Sequence, residues 1–356
     1  MNAEDLSQLS LFPATAEQVL EARKRGAVQW ARGLPLDIFL KVYGMLDMHE
    51  CANDGKFRRV GIVSRPISDG QAQVTEVPCY GVASVYTPPG KRKKGYAAHM
   101  MRLLHWVLAP EDSISAQFPS EWGAPPVARL QDGIFSALYS DIGDQFYQLN
   151  CSPLPKQGLG WITTGQINTT WPVAKMPLDS TQWVSLSKDE ADKVWEEDAQ
   201  LMKKDALAIA RAGGVACSFL PDRGNGRLSY ERHRKLKNGQ TLEAVGVQLA
   251  RNSPDDPLVF ATWAAESSES LTLVLTRLRA TKETFGGLLA QIMAFAERHG
   301  ADMIETWNLP EDLSVVAKEL GGTTFKRNNH LSAIKWYGPE AQSEVKWVFN
   351  EKFCWC

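Results

Sequence analysis

Apolar residues recur along this chain with two periods, and the switches between them mark its elements. Ala16 to Arg25 follows Thr15, a good N-cap, and Gly33-Leu-Pro35 separates that helix from a second one over Leu36 to Met48. Val60 to Arg65 reads as a strand and Ser68 to Gln71 as a turn. Val74 to Val77 then leads through Pro78 into a strand, Tyr80 to Thr87, closed by Pro88-Pro89-Gly90. Beyond Gly95 the period becomes helical: Met100, Leu103, Leu104, Val107 and Leu108 form one apolar stripe, ended by Pro110. A proline-rich loop spans Glu111 to Asp132. Ile134 to Tyr139 is an apolar strand running into Ser140-Asp-Ile-Gly143, and Asp144 can cap a helix starting at Gln145. Strand, crossover helix and strand imply a parallel pair.

Trp171-Pro172 to Ser180 reads as a linker, followed by a long polar helix, Lys188 to Arg211, with Trp195, Leu201 and Met202 as its apolar contacts. Leu271 to Ala280 is a strand. The helix Thr284 to His299 has Phe285, Leu288, Leu289, Ile292 and Phe295 as its stripe, and Gly300 ends it. Met303 to Trp307 and Leu313 to Leu320 continue the order strand, helix, strand, helix. That order repeats the first half, so the expectation is a mixed α/β fold of two similar halves, 1–176 and 177–356.

Composition narrows the function. A chain of 356 residues, 44% hydrophobic, can build two cores. Net charge of −2 and a pI near 6.3 give no global pull toward nucleic acid or an anionic membrane. No apolar run is long enough to span a bilayer and the start is acidic and polar, so the expectation is a cytoplasmic protein. The six cysteines lack paired metal spacing and are expected to be reduced thiols, with no metal. Nothing in the sequence sets an oligomeric state.

One local feature stands against that neutral background. Lys91-Arg-Lys-Lys94 and Gly95 lie between the strand end and the start of the amphipathic helix. A helix start offers unpaired N–H groups and roughly half a positive charge, which suits phosphate. Gly95 permits close backbone approach. A Walker loop would need Lys and Ser or Thr where Tyr96-Ala97 stand, and a Rossmann fingerprint lacks its third glycine. The plain alternative is a solvated turn or an import patch.

Arg92-x-x-Gly95-x-Ala97, placed after a strand and opening a helix, resembles the pyrophosphate loop of the GNAT acyltransferases. The wording Tyr80-Gly-Val-Ala-Ser-Val-Tyr-Thr-Pro-Pro, Gly95-Tyr-Ala-Ala-His-Met-Met-Arg-Leu-Leu-His, Leu138-Tyr-Ser-Asp-Ile-Gly143 and Asn350-Glu-Lys-Phe-Cys-Trp-Cys356 is similar to the fungal acetyltransferases that act on the ε-amino group of free lysine. The resemblance implies a tandem GNAT acyl-CoA N-acyltransferase fold with acetyl-CoA as cosubstrate and a small amine as acceptor. Coenzyme contacts are expected at Val85, Tyr86, Thr87, Arg92, Lys93, Lys94, Gly95, Tyr96 and Ala97, with the Val85 or Tyr86 N–H as oxyanion donor. The second loop, Thr281 to Gly287, lacks the spacing and the cations, so coenzyme is expected in the first half alone.

Transfer to an amine needs a neutral nucleophile, and deprotonating a lysine side chain at pH 7 costs about 4.6 kcal/mol. Glu76 is one base candidate, against an edge-residue reading; another is a carboxylate at Cys356, implied by distant relatives, against a tail docked for packing. Tyr147 matches the family's tyrosine facing the coenzyme sulfur, against a buried core tyrosine. Relatives run from that tyrosine to Gly-Trp within a few residues, whereas Asn150 to Trp161 is longer, implying a reshaped acceptor pocket. Asp141 is a candidate for holding an ammonium group, against a turn residue, and His49-Glu50 for touching the acceptor. Two other readings stay open: a secondary-metabolite N-acyltransferase, and a non-catalytic coenzyme-binding protein.

Overall fold

Residues 5–31, 33–52, 57–114, 117–232, 241–267 and 270–356 are described by the computed structural model. The chain opens with helices α1 (Ala16–Trp30) and α2 (Leu36–Leu46), strands β1 (Arg58–Pro66) and β2 (Ala72–Val82), then α3 (Tyr96–Leu108), β3 (Phe135–Ser140), α4 (Gln145–Leu149) and β4 (Ile162–Thr163). Strands β5 (Ile167–Pro172) and β6 (Trp183–Leu186) lead into α5 (Lys188–Arg211), β7 (Val215–Phe219) and α6 (Asn225–Arg232). Next come β8 (Gly246–Leu249), β9 (Phe260–Ser267), β10 (Leu271–Arg279), α7 (Lys282–Arg298), β11 (Met303–Trp307) and α8 (Glu311–Glu319). The strands β12 (Thr323–Lys326), β13 (Leu331–Trp336) and β14 (Val345–Trp347) follow. Capping boxes start three of the helices, at Thr15 with Gln18, Ser187 with Glu190 and Thr281 with Thr284.

The strands form two seven-stranded mixed sheets, ordered β14-β7-β1-β2-β3-β13-β4 and β12-β5-β11-β10-β9-β8-β6. Each has a short parallel pair at its middle. In the first, Cys79 to Val82 of β2 pair with Phe135 to Leu138 of β3; in the second, Thr272 to Val274 of β10 pair with Met303 to Glu305 of β11. Helices α3 and α7 make the two crossovers, as the repeated order of elements implies. The halves also exchange strands. β13, from the far end of the chain, runs antiparallel to β3, and β5 runs antiparallel to β11. The fold is therefore mixed α/β with two similar halves in tandem, each sheet carrying strands from both.

Three expectations change. The strand expected over Tyr80 to Thr87 instead begins at Ala72 and leaves the sheet after Val82, with Ser84 at φ 55°. Pro78 interrupts nothing there because it pairs with Val60 inside the β1–β2 ladder. Trp171 and Pro172 are not a linker: they end β5, and Trp171 is buried at 1% exposure against the second core. Asp144 is already in the helical region and makes no capping bond to α4.

Helix α5 spans both sheets. Ala191, Val194 and Trp195 near its start pack with Leu186 and Phe260, while Ala199, Met202 and Ala206 pack with Ile62, Cys79 and Phe219. Between those patches sits Asp198, fully buried. It accepts from Arg277 at 2.7 and 3.2 Å and from Arg279 at 2.6 Å. Arg277 also pairs with Glu351, whose other oxygen accepts from the Leu278 N–H at 2.8 Å. A bulge between Leu275 and Arg277 precedes the two arginines, which at i and i+2 share a face of β10. Burial alone would raise the Asp198 pKa, but the two guanidinium groups hold it below the usual carboxylate value. Removing one partner strands a buried charge. Asp198→Ala is expected to cost about 3–5 kcal/mol in urea unfolding, and a loss under 1 kcal/mol would show that the network adds little.

Candidate active site

Where β2 and β3 stop pairing, a cavity of about 930 Å³ opens. Its walls come from Trp30 and the α2 face of Ile38, Phe39 and Val42, from Val82 to Thr87, from the loop before α3, and from the carboxyl end of β3. The far wall is formed by Glu231, Glu266, His330, Trp355 and Cys356.

The basic loop lines one part of this cavity. Lys91 to Gly95 are exposed, and Gly95 sits at the N-cap position just before α3, where its φ of 86° suits glycine and it offers no side chain to cap the helix. Residues Lys91, Arg92, Lys93, Gly95, Tyr96 and Ala97 line the cavity, so uncapped backbone donors and cations face one space. Arg92 Nε donates to the Thr87 carbonyl at 3.0 Å and its guanidinium lies 5.8 Å from the Tyr86 ring, tying the loop to the strand extension. Val85, Tyr86 and Thr87 also line the cavity, outside the ladder, where their backbone is not used by the sheet. The corresponding start of α7 differs: Thr281 caps it by accepting from the Thr284 N–H.

The parting strands are bridged by the end of the chain. Cys356 Sγ lies 3.5 Å from the Val82 carbonyl and 3.6 Å from that of Ala137. A Cβ on Gly81 would stand 2.8 Å from Cys356 Cβ and 2.7 Å from the Phe57 ring, which explains the glycine. Tyr147, on α4, is buried and lines the cavity; burial first, then Cys151 and Asp141, raise its pKa and keep the phenol protonated. The long segment after it does not displace Trp161. Gly160 and Trp161 donate back to the Gln148 and Tyr147 carbonyls at 2.9 and 3.2 Å, and the Trp161 indole donates to Ser136 Oγ at 3.0 Å. The insertion thus folds over itself and rejoins α4.

Asp141 lines the cavity too, but in company that its sequence position does not reveal. Its Oδ1 lies 2.9 Å from His330 Nδ1 and accepts from the His330 backbone N–H at 3.0 Å. Leu331 pairs with Ser140, so His330 and Asp141 meet one step beyond that ladder, on strands distant in sequence. The Asn328-Asn329 turn signal before a strand is the only local hint of His330.

Other candidates lie elsewhere. Glu76 does not line the cavity; it is held by Lys203 of α5 at 2.6 Å and Arg223 at 2.9 Å. The Lys203 hydrogen bond first among its partners keeps it ionised below the usual value, which weakens it as a base. His49 and Glu50 line a separate cavity of about 410 Å³ with Asp192, Trp195, Asp222 and Arg227. Lys94 is exposed and does not line the large cavity. Among the described residues, no cluster of His, Cys, Asp and Glu has the makings of a metal site, and no helix is long and apolar enough to cross a membrane.

Residues 168–356, just over half of the chain, match the family model described as the LYC1 GNAT-like C-terminal domain. The chain belongs to the LYC1 GNAT-like family. The match begins at β5, so the GNAT-like region includes the strand that the first half lends to the second sheet. Similar solved structures include an Enterococcus faecalis protein described as a probable N-acyltransferase, 10% identical, covering 91% of this chain and 71% of its own, TM-score 0.49. Another is Eis1 from Mycobacterium abscessus, 12% identical, covering 92% and 72%, TM-score 0.42. A search of curated proteins finds no match.

The ion pairs of Glu76 are part-exposed and worth little each. Glu76→Gln is expected to lower stability by at most about 1 kcal/mol and to leave amine acylation within about threefold of wild type. A hundredfold loss of turnover with an unchanged fold would put Glu76 back in the chemistry.

Proposed function

We propose that this GNAT-like protein transfers an acetyl group from acetyl-CoA to the amine of a small molecule, with the ε-amino group of free lysine as the first acceptor to test. The observation that carries the reading is one continuous cavity, joining an uncapped helix start ringed by cations to a buried tyrosine and three carboxylates.

Under this reading the coenzyme lies in the 1–176 half. Its pyrophosphate meets the N–H groups at the start of α3 with Arg92 and Lys93, and its thioester reaches the parting of β2 and β3. The Val85 or Tyr86 N–H stabilises the oxyanion, an effect worth about 3 kcal/mol. Tyr147, protonated in its buried setting, gives its proton to the departing sulfur. The corresponding place in the second half differs: α7 is capped by its own Thr281, and Glu351 takes the Leu278 N–H on β10, beyond the last residue paired with β11, Val274. Glu231 and Glu266 on the far wall match an acceptor that carries a second positive charge, as free lysine does. Glu231 and Glu266 are themselves held by Lys188 and Lys352, so they set the potential of the wall and its shape together.

Thiol release from acetyl-CoA, measured with lysine, related diamines and no acceptor, tests the proposal. Arg92→Glu is expected to weaken acetyl-CoA binding about ten- to hundredfold, the range of a charge-assisted hydrogen bond. Tyr147→Phe is expected to lower kcat by about 10²–10⁴ with coenzyme affinity unchanged. Coenzyme binding without thiol release for any amine would favour a non-catalytic role, and no binding of coenzyme would sink the reading.

A further inference from the structure

We infer that His330, oriented by Asp141, is the base that takes the proton from the acceptor amine; this rests on the acetyl-transfer reading above. Three observations converge on it. His330 lines the same cavity as Tyr147 and the Val82 to Thr87 edge. Its Nδ1 is held 2.9 Å from Asp141 Oδ1, which leaves Nε2 as the nitrogen to receive a proton. Its backbone is held at φ 47°, a conformation uncommon outside glycine and found at functional sites, and the Asp141 carboxylate fixes it by accepting from the same residue's N–H at 3.0 Å.

The ring is also clamped. Trp355 meets it edge-on at 5.4 Å and Trp307 lies nearly parallel at 6.4 Å. The same tail that holds Trp355 against the imidazole inserts Cys356 where β2 and β3 part, so the ring and the thioester end of the cavity are linked through two consecutive residues. The charged groups near the imidazole include Asp141 beside Nδ1, Arg327 donating to the His330 carbonyl at 3.1 Å, Lys352 stacked 3.7 Å from the Trp355 ring and paired with Glu266, and Glu231 and Glu266 on the same cavity wall.

The reaction then balances. An ammonium acceptor gives one proton to His330 Nε2, and the neutral nitrogen attacks the thioester carbon. The C–N bond forms, the C–S bond breaks, and the sulfur takes the Tyr147 proton. The nitrogen's second proton restores Tyr147 through solvent, and His330 releases the first, so one proton leaves per turnover. In this scheme Asp141 is a positioning residue that fixes the imidazole, not the acceptor's anchor.

The decisive experiment is the pH profile of thiol release with lysine for wild type, His330→Asn and Asp141→Asn, together with acetyl-CoA affinity and melting temperature. Asparagine tolerates the backbone at 330, so the fold and coenzyme binding are expected to persist. His330→Asn should lose about 10²–10⁴ in kcat at pH 7. Its rate should climb tenfold per pH unit toward the lysine pKa near 10.4, as solvent deprotonates the amine instead. Asp141→Asn should lose less and shift the acidic limb of the profile. Wild-type-like rates or an unshifted profile in His330→Asn, in a wild type that turns over, would overturn the histidine's role alone. A wild type that releases no thiol with any amine would overturn the acetyl-transfer reading and this inference together. An equal loss at every pH would mark His330 as structural and overturn its role as base.

Discussion

The exchange of strands between the halves is the constraint on which the site depends. β13 reaches back from residue 331 to pair with β3, and β5 reaches forward to pair with β11. Without β13, β3 would be an edge strand, and the parallel β2–β3 pair, only four residues long, would close one side of an open sheet. With it, the carboxyl end of β3 meets a turn from the far end of the chain. Asp141 and His330, 189 positions apart, come within 2.9 Å as a result of register alone. Neither half builds this wall by itself.

The two parallel pairs show how one architecture reaches opposite ends. Both separate after a few residues. The first opens into a cavity beside a helix whose N-terminus has only glycine to precede it. The second is filled: Glu351 accepts the Leu278 N–H, Arg277 bonds Glu351 and Asp198, and Thr281 satisfies the start of α7. Buried donors must be satisfied by something, and in the second half the protein's own side chains do it. The place that stays open in one half is taken up in the other by side chains that hold the sheets together.

Local signals in the sequence carried far. The periods around Tyr96–Leu108 and Lys282–Arg298, the helix Lys188–Arg211 and the cap at Thr15 depend on neighbours in the chain, and they match the structure within a few residues. The basic loop was legible for the same reason. Register was not. That Tyr80 to Thr87 leaves its sheet at Val82 depends on where β3 diverges, and that Trp171 is core depends on β11 beside it. Glu76 reads from sequence as a carboxylate near the central strand, yet α5, more than a hundred residues on, supplies Lys203 to hold it away from the cavity. His330 had only an Asn-Asn turn to mark it, because its partner is contributed by another strand.

A site built this way ties chemistry to the integrity of the whole chain. The segment 349–356 is the clearest case. Glu351 bonds Arg277 and the Leu278 N–H of β10, Lys352 stacks on Trp307 and Trp355 while pairing with Glu266, Trp355 braces His330, and Cys356 sits between β2 and β3. Four consecutive functions along eight residues, each to a different element, mean that loosening the second half is felt at the first half's cavity. The buried charges at Asp198, Arg277 and Glu351 contribute less through net stability than through geometry: replaced by apolar groups they would give similar stability but fix no direction for the tail. The second half, whose own parallel pair has Glu351 and Thr281 beside it, supplies His330 and the tail to the wall of the first half's cavity.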